Sequence, residues 1–493
     1  MTDKGVADTG PGNSVVPVAV QASPKTSIDV FPALDGVRVL STVWVVIFHV
    51  LWHTSMIMAE DKFGKFYAQP WMRFLNNGLF AVDIFFILTG FLLAFPVLKG
   101  ARTGTWKSFV WLRITRIYPT LLFCVLFNCI VVFHGVPLLP WRHHPSQGIR
   151  MMLEGANQRE MLGVPHNCEL SPFNLLFLNN FLPFGGCMGW TWSLCVQVHF
   201  YLLFPVLIRI FGRAKGLVTA ILCYMVWHGI QRYLLYAHLV LPYAPPKVYV
   251  FEISDKDSFF VFFNIWYSST FQRIGGVLAG VVLAWVQINA PELPAQLASG
   301  SKRVLHYALC VVSAGSIYAS FTPSWFSPVF MVFFHVAGVL WLFALCYIIY
   351  VINNRIGVLG NALSAVLSRP IFATLQLPTY AVYLVHSAFA MKAWYMWLEF
   401  VGPITELTWP VFITVALAVL VASFAFGALC HEFIEKPTKN WLRPRPAAAV
   451  VTTAAPIVTS TVGKDEAIGE VAVSEPFNFS PSKQQRKSSR KTD

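Results

Sequence analysis

GLFAVDIFFILTGFLLAFPVL, residues 78–98, runs for 21 positions and carries one charge, Asp83. A bilayer core about 30 Å thick takes a helix of roughly 20 apolar residues. The stretch therefore reads as a membrane-spanning helix. A charge at the centre of such a helix costs about 2.5–3.5 kcal/mol on insertion scales, so Asp83 is expected to face protein or a cavity and to do something there.

Nine further apolar runs of similar length flank this one. Together the ten fall at about 38–56, 78–98, 117–136, 192–212, 216–236, 264–287, 304–322, 327–351, 373–395 and 409–430. The run 173–184 is too short to span and reads as a re-entrant or interfacial piece. The expected fold is all-α, a polytopic membrane helix bundle of about ten transmembrane helices with disordered cytoplasmic tails. Residues 1–30 and 443–493 are the tails, rich in Ser, Thr, Pro, Ala and Lys with no apolar period. Residues 31–442 form the membrane domain. The polar start has no apolar signal core, so the first span is expected to direct targeting itself.

Composition agrees. The chain is 56% hydrophobic, 15% aromatic and 12% charged, with a mean hydropathy of +0.59. Soluble domains hold about 25% charged residues, so a soluble chain of this kind could not cover its surface. The net charge of +13 raises nucleic acid as a partner, but no binding module accompanies it. The basic residues instead fill short segments between the runs: Lys99, Arg102 and Lys107; Arg209, Arg213 and Lys215; Lys302 and Arg303; Arg355 and Arg369; Lys436 and Lys439. With ten spans these segments share one side, which predicts both termini in the cytoplasm. Plasma membrane and endomembrane remain open.

Nine cysteines include no CxxC pair, so neither zinc nor a redox motif is expected. Seven lie in apolar runs and read as small core residues. Cys168 and Cys187 lie in the outer loop 138–190, where an oxidising compartment would favour a disulfide between them.

Several polar residues stand where lipid or core is expected. Arg38 opens the first run and His49 follows eleven residues later, about 16 Å deeper and close to three turns on, so both face one way. An imidazole at that depth exchanges a proton near neutral pH or packs against a neighbouring helix. Arg113 and Arg116 sit at i,i+3 before the third run, where they suit a phosphate group or simply mark the cytoplasmic side. Trp192, Ser193, Gln197, His199 and Tyr201 crowd the start of the fourth. An interfacial aromatic belt explains Trp192 and Tyr201 but not the others. Arg273 lies mid-way along the sixth run and His386 in the ninth. His431, Glu432 and Glu435 close the tenth. Polar groups facing inward from six helices imply a hydrated cavity.

LDGVR…FH (34–49), FFILTGF (85–91), RITRIYP (113–119), WSLCVQVHFY (192–201), TYAVYLVH (379–386) and EKP (435–437) occur in an order and spacing that resembles the acyltransferase-3 family. That family consists of multi-pass membrane acyltransferases and includes a nose-resistant-to-fluoxetine branch in animals. The resemblance covers residues 31–442. It implies an O-acyltransferase that moves an acyl group, such as acetyl, from cytoplasmic acyl-CoA to a hydroxyl of a carbohydrate or lipid acceptor at the opposite face. Acyl-CoA would be a substrate, with no cofactor permanently bound.

The resemblance makes Arg38 and His49 the family's Arg-x10-His pair, and Arg113 with Arg116 its Arg-x-x-Arg donor motif. His386 and Arg273 fall at further family positions. Asp83, for which a structural role is as open as a catalytic one, joins Gln197, His199 and His386 as a catalytic candidate, and Arg273, Tyr201, Ser193 and Trp192 are the substrate-binding candidates. Where the family pattern usually carries an acid, this chain has Gln197, and a neutral amide is no general base. Either the acid is only supporting, or His199 or Asp83 substitutes, or this branch has altered chemistry. The competing readings are a transporter or flippase of a lipid or acyl group without chemistry of its own, and a degenerate acyltransferase that only binds. The absence of paired broken helices in two halves argues against the transporter.

Overall fold

A computed structural model describes residues 31–57, 77–100, 105–133, 170–212, 215–235, 261–321, 328–402 and 406–442, with isolated positions between 66 and 75 and at 404. Both tails, Cys168 and most of the two long outer loops lie outside these residues. Among the described residues there is no strand.

Ten helices of 18 or more residues follow the ten apolar runs: α1 (Pro32–Ile57), α2 (Ala81–Leu98), α3 (Trp106–Phe127), α4 (Trp192–Phe211), α5 (Lys215–Leu235), α6 (Thr270–Asn289), α7 (Arg303–Phe321), α8 (Pro328–Asn353), α9 (Thr379–Phe400) and α10 (Trp409–Cys430). Among the described residues, six segments are both long and apolar enough to cross a membrane: those of α1, α2, α3, α4, α6 and α10. The second half of α8 and the following helix Gly357–Leu367, bent by 76°, make a seventh if counted as one span.

Helices α1 and α9 start six residues away from the hydropathy reading, and two other displaced starts move candidate residues. Helix α3 begins at Trp106, not near 117, because Thr105 caps it by accepting from the Ser108 amide. Arg113 and Arg116 are therefore inside the helix rather than before it. Helix α6 begins at Thr270, after a π-helical turn over Val261–Tyr267. Arg273 thus sits in the first turn of α6 and not half-way along a span. The stretch 173–184 holds only short turns, Ser171–Leu175 and Asn179–Phe181 among them, in keeping with a piece that does not cross.

The closest helix pair is α2 with α6. A Cβ on Gly90 would lie 1.9 Å from the Val277 carbonyl oxygen, and one on Gly280 would lie 2.1 Å from that of Ile87. Only glycine admits such contact. Within a bilayer, where tails are as apolar as leucine, this backbone approach takes the place of a hydrophobic drive. The spacing Gly276-x-x-x-Gly280 was its sequence signal.

A second packing centre joins α1, α9 and α10 through Val46, Val50, Leu51, Trp394, Phe412 and Val419. The Trp394 indole donates to the Val50 carbonyl at 3.0 Å. A third links α3, α4 and α9 through Leu121, Cys124, Cys195, Val198, Leu384 and Val385. Apolar side chains also cover the outside of α10, where Leu417, Val421 and Leu429 are more than half exposed. A soluble protein could not carry that face, and lipid solvates it. Of the cysteines read as core, Cys124, Cys195, Cys346 and Cys430 are buried, whereas Cys223 is exposed on α5.

Candidate functional site

Helix α1 supplies the axis. Near its N-terminal end the Arg38 guanidinium donates from Nη1 to Gln376 Oε1 at 2.9 Å, just before α9 begins. On α4, the Tyr201 hydroxyl is within electrostatic range of Arg38, Arg113 and Arg116. Arg38 and Arg116 also sense each other, as do Arg113 and Arg116. Arg113 lies over the Phe109 ring, its guanidinium carbon 3.9 Å from the centroid, and donates to the Phe109 carbonyl at 3.3 Å. Arg116 is exposed. Three like charges brought together from α1 and α3 repel one another, and an anionic group bound among them would relieve that repulsion.

Deeper along α1, His49 meets His386. His49 Nδ1 is 2.9 Å from the Val45 carbonyl oxygen and 3.1 Å from His386 Nε2. His386 Nδ1 is 2.7 Å from the Tyr383 carbonyl oxygen. A carbonyl only accepts, so each Nδ1 carries the proton in the neutral rings. His386 Nε2 is then an acceptor for the shared His49 N–H, and His49 Nε2 keeps a bare lone pair. His49 is only half-buried, although its neighbours Val46 and Val50 are fully buried. A one-turn step along α1 brings a second imidazole, His53, whose Nε2 is 3.0 Å from Ser387 Oγ. Neither His53 nor Ser387 was singled out from the sequence, though Ser387 follows His386 and His53 lies one turn beyond His49.

Helix α4 has two working faces. Ser193, Gln197 and Tyr201 recur every four residues on one of them. Ser193 Oγ is 2.6 Å from the Tyr383 hydroxyl, which in turn donates to the Trp190 carbonyl. Tyr201 lies at the arginines, so the half-buried Gln197 sits between these two levels. It makes no hydrogen bond among the described residues. The other face carries Trp192 and His199 toward α6. His199 Nδ1 is 2.8 Å from Thr270 Oγ1, which also accepts from Asn180. The sequence therefore places Ser193, Gln197 and Tyr201 with the arginines and histidines, and directs Trp192 and His199 elsewhere.

Elsewhere means a second polar cluster. Arg273 Nη2 stands 3.1 Å from Asp83 Oδ1, and the Trp341 indole donates to Asp83 Oδ2 at 3.2 Å. The Arg273 guanidinium lies 5.0 Å from the Tyr267 ring centroid and 5.3 Å from that of Trp192. Arg232 and His228 on α5 both reach the Gln272 carbonyl, at 3.0 and 2.9 Å. Asp83 sits in the first turn of α2, where the helix dipole favours a carboxylate. His431 Nδ1 pairs with Glu435 Oε2 at 3.1 Å beyond α10.

Of the expected disulfide, Cys168 lies outside the described residues. Cys187 is buried, with its sulfur 3.6 Å from that of Cys129.

The chain is 24% identical over 395 residues to nose resistant to fluoxetine protein 6 of Caenorhabditis elegans, covering 72% of this chain and 44% of that protein. It is 22% identical over 429 residues to regulator of hypoxia-inducible factor 1 of the same organism, covering 82% and 78%. It is 26% identical over 207 residues to acyltransferase MdmB of Streptomyces mycarofaciens, covering 39% and 45%. It spans less than half the length of the first and third of these. No solved structure matches. An acyltransferase-domain family matches residues 31–428, which takes in α1 to α9 whole and α10 but for its last two residues. The bundle that holds the Arg38–His49 helix against His386 is thus an integral membrane protein, and the chain belongs to the acyltransferase-3 family, on the side of its nose-resistant-to-fluoxetine-like branch.

Proposed function

We propose that the protein is a membrane O-acyltransferase that takes an acyl group from cytoplasmic acyl-CoA and delivers it to a hydroxyl of a carbohydrate or lipid at the opposite face. The observation that carries this reading is the alignment on α1: a cluster of three arginines at one end and a histidine with a bare Nε2 eleven residues deeper. Guanidinium forks match the phosphate oxygens of a CoA moiety. The family match and the name of the MdmB relative support acyl transfer as the reaction class.

His49 Nε2 is the base for the acceptor hydroxyl. As it takes the proton, the Val45 carbonyl and the His386 lone pair at its Nδ1 stabilise the imidazolium that forms. Arg38, Arg113 and Arg116 hold the donor, and Tyr201 spaces them. The two termini lie in the cytoplasm, on the donor side. Gln197 lies between donor and base, where it orients substrate rather than moving protons. The Asp83–Arg273 cluster braces α2 against α6.

The test uses the full chain in nanodiscs with labelled acetyl-, butyryl- and palmitoyl-CoA. Release of free CoA that depends on His49 and on Arg113 supports the reading. No CoA release with any of the three donors, from a preparation that is folded by size exclusion, overturns it. Comparing lipids and glycans by mass spectrometry in cells with and without the protein then names the acceptor by a lost acyl mass.

A further inference from the structure

We infer that Ser387 carries the acyl group covalently, activated by His53. This rests on the acyl-transfer reading above and deepens it. Hydroxyls inside these helices mostly bond back to their own helix: Ser41 to the Val37 carbonyl, Thr42 to Arg38, Thr54 to Val50 and Thr115 to Trp111. That is the usual arrangement for a buried helical Ser or Thr. Ser387 does otherwise. Its own back-bonding acceptor would be the Tyr383 carbonyl, four residues earlier, and His386 Nδ1 occupies that oxygen at 2.7 Å. The Ser387 hydroxyl turns across to α1 and meets His53 Nε2 at 3.0 Å. With the imidazole proton on His53 Nδ1, hydroxyl and imidazole at that distance are the arrangement of a nucleophile with its base. Both residues are more than nine-tenths buried. The pair also lies one residue from His386 and one turn from His49, beside the proposed base.

The chemistry balances without any further reagent. Ser387 Oγ attacks the thioester carbonyl and its proton passes to His53 Nε2. The C–S bond breaks, and the departing CoA thiolate takes that proton to leave as free thiol. An ester now stands on Ser387. The acceptor hydroxyl attacks this ester and gives its proton to His49 Nε2. The ester C–O bond breaks and Ser387 Oγ takes up that proton, which restores the site. A covalent stop at mid-helix also lets the acyl group cross while the charged CoA moiety stays with the arginines.

The experiment incubates the full chain in nanodiscs with deuterated acetyl-, butyryl- or palmitoyl-CoA, quenches in acid, and maps the acyl mass by peptide mass spectrometry. The expected result is an acyl mass on Ser387. Ser387→Ala should remove it and lower CoA release at least about 100-fold, since a missing nucleophile removes most of the rate. Ser387→Cys should retain a label that neutral hydroxylamine releases, which separates a lost nucleophile from a lost fold. Wild-type CoA release in Ser387→Ala, or an acyl mass on His49 and not on Ser387, overturns the inference and leaves the acyl-transfer reading standing. No CoA release by the wild-type chain removes both.

Discussion

His386 Nε2 stands 3.1 Å from His49 Nδ1, and the two rings cross at 84° with centroids 4.6 Å apart. Because the Tyr383 and Val45 carbonyls fix a proton on each Nδ1, the pair is asymmetric: His386 receives and His49 Nε2 is the free base. His49→Ala should lower turnover by about 10²–10⁴-fold with little loss of folded protein, as expected for a general base. The sign of the pH effect follows. Only the neutral imidazole accepts a proton, so kcat/KM for the acceptor should fall toward acid in the wild type and His49→Ala should lose that limb, whereas an acid limb in kcat/KM for acyl-CoA belongs to His53 and should remain. His386→Gln keeps an acceptor near His49 and should cost far less than His49→Ala. A pH–rate series on the three proteins checks all of this.

Arg113→Lys keeps the charge and should still impair donor use. Lysine offers no planar fork and cannot lie over the Phe109 ring as the guanidinium does at 3.9 Å. The expected signature is a rise in KM for acyl-CoA of roughly tenfold, about 1.4 kcal/mol, with kcat nearly unchanged. Equal kinetics for Lys and Arg at both 113 and 116 would reduce the pair to a topology signal.

The helices were legible because span length and hydropathy are local properties. Their beginnings were less so. Lys107, Arg113 and Arg116 lower the hydropathy at the start of α3, and the window therefore opens at 117 although Thr105 caps the helix much earlier. Pairings were the least legible. His49 and His386 each stood out as a lone imidazole, but 337 positions separate them and only packing brings them together. That Asp83 faces protein was legible from the cost of a buried charge, while its pairing with Arg273 needed the α2–α6 contact. His53 was not legible despite its four-residue spacing from His49, because its partner Ser387 lies 334 positions away on another helix. Ser387 is an ordinary helix residue until the direction of its hydroxyl is seen.

The α2–α6 contact predicts a steep response to one methyl group. Gly280→Ala would put a carbon 2.1 Å from the Ile87 carbonyl oxygen, and that neighbour is backbone and has nowhere to rotate. Helix separation must follow. The expected loss is at least the 1–3 kcal/mol typical of overpacking, read as a lower midpoint of thermal unfolding in detergent. By contrast, Gly315→Ala on α7 meets nothing within 4 Å and should be neutral or slightly stabilising. Similar midpoints for the two variants would mean that α2 and α6 do not pack as closely as the glycines indicate.

The ion pair between Asp83 and Arg273 admits a test by double substitution. Both side chains are almost wholly buried, and Asp83 has a second donor in Trp341. Removing one partner strands a charge in a low-dielectric interior, a loss of about 3–5 kcal/mol. Asp83→Asn should therefore lower the unfolding midpoint sharply. Arg273→Met should do the same, because Asp83 would keep the Trp341 indole and the field of Arg232 in place of a direct ion pair. The double variant Asp83→Asn/Arg273→Met removes both members of the pair and leaves Arg232 as the buried cation of the cluster, so it should recover part of the lost stability and the two effects are non-additive. Activity separates two roles for the pair. If it only braces α2 against α6, CoA release should recover with the midpoint in the double variant. Recovery of the fold with activity still absent would instead put Asp83 or Arg273 in contact with substrate.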